Sequence, residues 1–405
     1  MTYFAFRHQP FKALYVVYTA ITVPLIRAPY WCISSLIPYF RPRRTWSFSR
    51  SILLCWLKTS YNFSFAVGFL PFRSPRQRQS LNVHLGEVWV DEVPKDLIRG
   101  KVAEAAMINQ VSPEPISGYW FSKTGDATDV GRRALPDEKV LYYFHGGGYI
   151  SGSVSPNSLY SEAPKGMLEQ SFPSNARAFG LEYRLTRAAP FDPYAPFPAA
   201  LLDALSGYYY LVTTLGFAPK NVIVSGDSAG GHLAVSLVRY LCLEDLTELP
   251  PPGGLIPLHP TVDWALTDAH ITSSSMERNY HTDYVDPFAR SGYTKRGLLG
   301  SLPEEFAYTS LWISPASLRI QETGLFPNFP PTLIIAGGAE QTLDAMRVLH
   351  TRLVEDNGTE IITYIEYPDA IHDFMCFASH EPERSKALDH DIRTWVHLVY
   401  NCNTQ

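Results

Sequence analysis

Hydrophobic positions along this chain fall into two kinds of run. Short blocks rich in β-branched and aromatic residues, at 140–144, before Ser228, at 332–336 and at 361–367, have the length of buried strands. Longer stretches between them carry helical spacing: residues 232–241 set Leu233, Leu237 and Leu241 on one face. Strands that alternate with helical patterns predict a parallel sheet covered by helices. At the N-terminus the pattern differs. Apolar blocks at 13–26, 28–40, 52–57 and 63–72 follow one another with only basic charge between them.

Two of the predicted strands run into glycine. The first continues as "HGGG" (His145, Gly146, Gly147, Gly148), which lacks both the Lys-Ser/Thr of a phosphate loop and the G-x-G-x-x-G of a dinucleotide loop. Alone it would be a flexible turn, since glycine enters φ > 0 without steric cost. The second is "GDSAGG", a G-x-S-x-G sequence centred on Ser228 between an apolar strand and a helix-compatible run. That context is a nucleophile elbow, a sharp turn that exposes a serine hydroxyl at the end of a strand. The similar G-D-S-G-G-P of chymotrypsin-like proteases belongs to an all-β fold, in which no helix follows the serine.

These motifs resemble the hormone-sensitive-lipase-like branch of the α/β-hydrolases over roughly residues 115–400. "EYRLTRAAPFDPYAPFPAALLDALSGYYYL" is similar to that branch's Tyr-Arg-Leu strand end and Phe-Pro-Ala-Ala helix start, and "GGLIPLHPTVDW" to its strand after the elbow helix. The resemblance implies an α/β-hydrolase fold: a mostly parallel central sheet flanked by helices, with a helical cap. It also implies that the amides of Gly147, Gly148 and Ala229 form an oxyanion hole, and that the triad follows in the order serine, acid, histidine. His145 precedes the glycines and is expected to brace the loop.

The acid therefore lies beyond Ser228. Glu340 stands just after the strand at 332–336, where the family usually has Asp; Asp344, four residues later, is the alternative and otherwise suits a helix N-terminus. Either carboxylate could orient an imidazole. For the base, His372 lies in the loop after the strand at 361–367, where the family's His-Gly-Phe is His-Asp-Phe, whereas His350, His380, His390 and His397 fall in or near helices. The chemistry implied is acyl transfer to Ser228 and hydrolysis by water, with no cofactor and no metal. The same residues would serve a lactonase, an amidase or an acyltransferase. A non-catalytic receptor on this fold, similar to the gibberellin receptors, is the alternative of a different class, and those lack the histidine.

A chain of 405 residues accommodates one large α/β domain, and five scattered cysteines give no disulfide framework. Charge is unevenly spread. Residues 1–86 hold eleven Lys and Arg and no Asp or Glu, leaving 23 basic against 39 acidic residues for 87–405. A basic, apolar, acid-free leader points to a membrane anchor, spanning or interfacial, with arginines on anionic head groups, rather than to nucleic acid. No A-x-A-like cleavage site follows the first block, and the apolar density exceeds that of a mitochondrial transit peptide. The expected organisation is leader 1–86, which could also contribute to the cap, then catalytic domain 87–405 with an aromatic-rich cap insertion at about 265–329. The leader resembles that of fungal membrane-anchored esterases and deacetylases of sterol and secondary-metabolite pathways. That resemblance implies a small-molecule hydrophobic ester, such as an acetylated sterol or terpenoid, handled at the endoplasmic reticulum by a cytosolic catalytic domain.

Overall fold

The computed structural model describes residues 3–68, 85–123, 131–378 and 380–402. Part of the last apolar block of the leader, 69–72, and the leader's end therefore lie outside the described residues.

Eight strands form one sheet: β1 (Glu87–Val90), β2 (Ile116–Ser122), β3 (Lys139–Phe144), β4 (Ala176–Glu182), β5 (Val222–Asp227), β6 (Gly254–Leu258), β7 (Thr332–Gly337) and β8 (Ile362–Tyr367). Their spatial order is β1-β2-β4-β3-β5-β6-β7-β8. β1 and β2 pair antiparallel, and from β4 to β8 every pairing is parallel. Parallel strands need crossovers, and the helices that supply them cover both faces. This is why the strands read as unbroken apolar runs. In β3, Val140, Tyr142 and Phe144 enter one core while Leu141 and Tyr143 enter the other. Burying side chains of this size is worth about 1.5–3 kcal/mol each. The two tyrosines keep their polar ends satisfied, Tyr142 donating to the Ala204 carbonyl at 2.9 Å and Tyr143 to Asp227 Oδ1 at 2.5 Å.

The elbow helix runs Ala229–Glu244, and Leu233, Leu237 and Leu241 are all buried on it. It starts three residues before the expected 232 because the turn at Ser228 is tight. Between β6 and β7 the chain makes its longest excursion, through short helices at Ser275–Arg278, Asp286–Arg290, Tyr293–Leu299 and Phe306–Thr309.

The leader forms two helical units. The first is continuous over Phe11–Leu36, although Pro24 and Pro29 lie inside it. A wide turn at Val23–Arg27, closed by the Ala28 amide on the Val23 carbonyl, absorbs the expected kink. One side of this helix is half-buried; the other presents Leu14, Ile21, Leu25, Tyr30, Ile33 and Leu36, each more than half exposed. The second unit, Phe48–Val67, is capped by Ser47, whose side chain accepts from the Arg50 amide, and by Gly68 at φ 75°. Its buried face, including Leu54, Leu57 and Phe65, packs on Tyr284, Val285, Phe288 and Ile371.

Polar clasps tie the leader to the loops above the sheet. Arg43 donates to the carbonyls of Pro368 and Gly338, the latter at 2.7 Å. Trp46 Nε1 donates to the Asp369 carbonyl at 2.8 Å, and Arg50 meets both oxygens of Glu383 at 2.9 and 2.6 Å.

Candidate active site

Three parallel strands and the turns after them converge on one point. β5 delivers Ser228, which sits at φ 54°, ψ −115°, a strained conformation for a residue with a side chain. The turn is held from β6: the Ser228 amide donates to the Leu258 carbonyl at 2.9 Å, and the Thr261 amide to the Ser228 carbonyl at 3.1 Å. Close approach is possible because Gly230 lacks a side chain, whose Cβ would lie 2.1 Å from the Phe144 carbonyl oxygen.

The loop after β8 delivers His372 and the loop after β7 delivers Glu340. His372 Nε2 is 2.7 Å from Ser228 Oγ, and its Nδ1 is 2.6 Å from Glu340 Oε2. Thr261 Oγ1 stands 3.3 Å from Ser228 Oγ. All three members are buried, Glu340 completely. Asp344, the alternative acid, is turned away: it accepts from the Ser275 amide at 2.7 Å and pairs with Arg278 and Arg347.

Electrostatics sharpen these roles. Burial alone would raise the pKa of Glu340, but donors from His259 and His372 hold it down at about 2. Burial alone would likewise disfavour the His372 imidazolium; Asp373, the bond to Glu340, and Asp283 overcome this and push its pKa above the ordinary imidazole value. Asp373 Oδ1 is 3.5 Å from His372 Nε2. Desolvation raises the pKa of both Asp373 and the nearby Asp227, so these two carboxyls resist joint ionisation.

The HGGG loop lies across the serine. Gly147, at φ 105°, and Gly148 line the same cavity as Ser228 and His372. Among the described residues the amides of Gly147, Gly148 and Ala229 meet no acceptor, and Ala229 opens the elbow helix, where amides lack intrahelical partners. A Cβ on Gly148 would strike the Phe288 ring at 2.5 Å. His145 Nδ1 is 2.7 Å from the Gly146 carbonyl oxygen of the loop, its ring is stacked on Tyr183 at 4.4 Å, and its own carbonyl accepts from the Tyr183 hydroxyl at 2.6 Å.

The remaining walls are largely aromatic and come from distant segments: Tyr61 from the leader, Tyr160 from the stretch between β3 and β4, and Trp264, Tyr284 and Phe288 from the excursion after β6. The cavity is only about 20 Å³, room for one or two waters.

With an elbow serine, an imidazole between serine and carboxylate, and free loop amides on one cavity, the site has the chemistry of an acyl-transfer hydrolase. A family model described as the alpha/beta hydrolase fold matches residues 141–376. The chain belongs to that family. Within this family of hydrolases the chain lies in the hormone-sensitive-lipase-like esterase branch, and it is a carboxylic ester hydrolase. It is 30% identical to an acetyl-hydrolase of Streptomyces hygroscopicus over 65% of this chain and 80% of the relative. It is 28% identical to an ethyl acetate hydrolase of Pseudomonas putida over 72% and 83%. The crystal structure of an esterase/lipase from an uncultured bacterium superposes with a TM-score of 0.53 at 25% identity, covering 71% of this chain and 82% of that one.

Sequence reasoning overlooks three contributors to this hydrolase site. His259, at the end of β6, donates from Nδ1 to Glu340 Oε1 at 2.6 Å. The signal was available, because the C-terminal ends of parallel strands are where such sheets present chemistry. Asp373 and Tyr61 carry no comparable mark, since only the folded loop and the docked leader bring them to the cavity.

Proposed function

We propose that Ser228, His372 and Glu340 act as nucleophile, base and acid in hydrolysis of a short-chain ester, such as an acetyl ester, of an apolar alcohol. The observation that carries this reading is the unbroken hydrogen-bonded line from Ser228 Oγ through the His372 ring to Glu340 Oε2, with links of 2.7 and 2.6 Å. Ser228 Oγ attacks the acyl carbon as His372 Nε2 takes its proton, and Glu340 stabilises the imidazolium. The amides of Gly147, Gly148 and Ala229 hold the oxyanion. Collapse breaks the acyl–oxygen bond, and the leaving alcohol carries away the proton from Nε2. Water then repeats the sequence on the acyl-enzyme. An acetyl group is favoured by the narrow cavity and by the names of the acetyl-hydrolase and ethyl acetate hydrolase relatives. Aromatic walls suit a flat apolar alcohol such as a sterol or terpenoid, and a place in secondary metabolism is the corresponding setting. A receptor would have no use for the polarised serine.

The test is Ser228→Ala on p-nitrophenyl acetate. Turnover falls by roughly 10⁶-fold with the folded state unchanged by circular dichroism; retained turnover removes the triad reading. Acetylated sterols and terpenoids compared with longer acyl esters then define the substrate.

The leader is read as an interfacial membrane anchor. Phe11–Leu36 is long and apolar enough to cross a bilayer, about 39 Å of helix against a ~30 Å hydrocarbon core. Both its flanks, however, are fastened to the catalytic body: Phe4 is buried beside Phe65 and Tyr293, and Arg43 clasps Gly338. Arg43 follows Leu36 by seven positions, a reach of at most ~25 Å, too short to return across the core. The helix therefore lies along one leaflet, apolar side inward, with the surrounding arginines on anionic head groups. The positive charges favour the cytosolic face, with the endoplasmic reticulum as the compartment. On sealed vesicles, protease should remove N-terminal and C-terminal tags from the same side; tags on opposite sides would establish a spanning helix instead.

A further inference from the structure

We infer that His259 is a positioning residue that makes a glutamate work as the acid of this hydrolase. Glu340 has one more rotatable bond than an aspartate in the same place, so its carboxylate has more ways to point wrongly. Both of its oxygens are pinned. Oε1 accepts from His259 Nδ1 at 2.6 Å and from the Gly337 amide; Oε2 accepts from His372 Nδ1 at 2.6 Å and from Thr342 Oγ1 at 3.4 Å. Of these four donors, His259 is the side chain that fixes the oxygen facing away from the base.

The surroundings of His259 suit this task. It is fully buried, with its ring edge-on to Phe374 at 4.8 Å and 6.0 Å from the His372 ring. Nδ1 faces a carboxylate and must carry a proton, while Nε2 meets no hydrogen-bond partner among the described residues. The ring is thus committed to Glu340 alone. Its backbone is held as firmly: the amide donates to the Ile335 carbonyl of β7 at 2.8 Å, and φ is 48°, a region His and Asn tolerate better than most residues. A histidine here spans β6 and β7 and ties the nucleophile's neighbour strand to the acid's strand.

Function follows from the shared carboxylate. With His259 donating, Glu340 Oε2 stays in line with His372 Nδ1, and part of its negative charge is spent on Oε1. Without it, the carboxylate gains freedom and basicity, so the base is held less well in place and its proton more tightly. The other charged or titratable groups facing this pair include Asp283 from the excursion after β6, Asp373 and Asp227 beside His372, Tyr284 above it, Tyr364 of β8 toward Glu340, and His380 near His259.

The inference rests on Glu340 being the acid, and the experiment separates the two. In the full-length protein on p-nitrophenyl acetate, His259→Phe keeps a ring against Phe374 but removes the donor, and His259→Asn restores a donor near the Nδ1 position. His259→Phe should lower kcat roughly 10–100-fold, by analogy with the loss when the outer hydrogen-bond partner of a metal-ligating side chain is removed, with KM within about twofold. The acid limb of kcat/KM should move to higher pH. His259→Asn should recover most of kcat and return the limb to its original place. Full activity in His259→Phe overturns the inference, as do equal losses in both variants with an unmoved limb, which would mark a packing role. Glu340→Ala is the control: if it stays active, the acid assignment has failed, whereas an inactive Glu340→Ala beside a fully active His259→Phe removes only the role of His259.

Discussion

At the residue scale the site is a set of carboxylates distributed around one imidazole, and their positions separate their roles. Glu340 bonds His372 directly, so Glu340→Ala should reduce kcat by about 10³–10⁴-fold; Asp344, engaged with Ser275 and two arginines, should tolerate alanine with little change in rate. Asp373 acts on the same ring through space. Its charge, 3.5 Å from Nε2, helps raise the pKa of His372, and only the unprotonated ring can accept the proton of Ser228. Wild-type kcat/KM should therefore keep rising above the pH at which an ordinary histidine would have levelled off. Asp373→Asn removes a raising charge, so the acid limb should shift to lower pH. A limb that stays in place or moves upward would contradict this assignment.

At the element scale the unusual component is the helix Phe48–Val67, which brings Tyr61 into the cavity and carries Arg50 to Glu383. The Arg50 side chain is 6% exposed and Glu383 16%, so Arg50→Ala leaves a carboxylate partly buried without its partner and should cost about 3 kcal/mol, read as a lower Tm. Tyr61→Ala should enlarge the cavity and raise kcat/KM for butyrate relative to acetate esters. The strands β3, β5, β7 and β8, the elbow and the loops after β7 and β8 are legible in the sequence because their signals are local: short apolar runs, glycines at a forced turn, and a polar residue directly after a strand. Tyr61 and His259 are obscure because each acts through contacts made between segments tens to hundreds of positions apart, whereas Asp373 adjoins His372 in the chain but reaches its ring only through the fold of the loop. Residues 48–67 read as parts of two apolar blocks of a leader that could contribute to the cap, without the single helix that joins them, since which side of a helix is covered depends on the body it meets.

At the scale of the whole molecule, leader and catalytic domain share a core. Removing residues 1–87 would uncover Tyr284, Val285, Phe288 and Ile371 and delete one wall of the cavity. The shortened chain should aggregate or lose esterase activity even in detergent, where no bilayer is required. A stable, fully active product would show the leader to be a detachable anchor. Docking at both flanks also makes the leader and the active-site loops one mechanical unit, because Arg43 touches the acid loop and the loop before His372 together.

The confined space above Ser228 has one more implication. Ser228, the proposed nucleophile, lies in a cavity walled in part by Tyr61, Tyr284 and Phe288 with about 20 Å³ free, so a bulky reagent should meet it only when those rings part. Inactivation by a large fluorophosphonate should accordingly reach a plateau as the reagent is made more concentrated, and that ceiling would time the opening of the shutter.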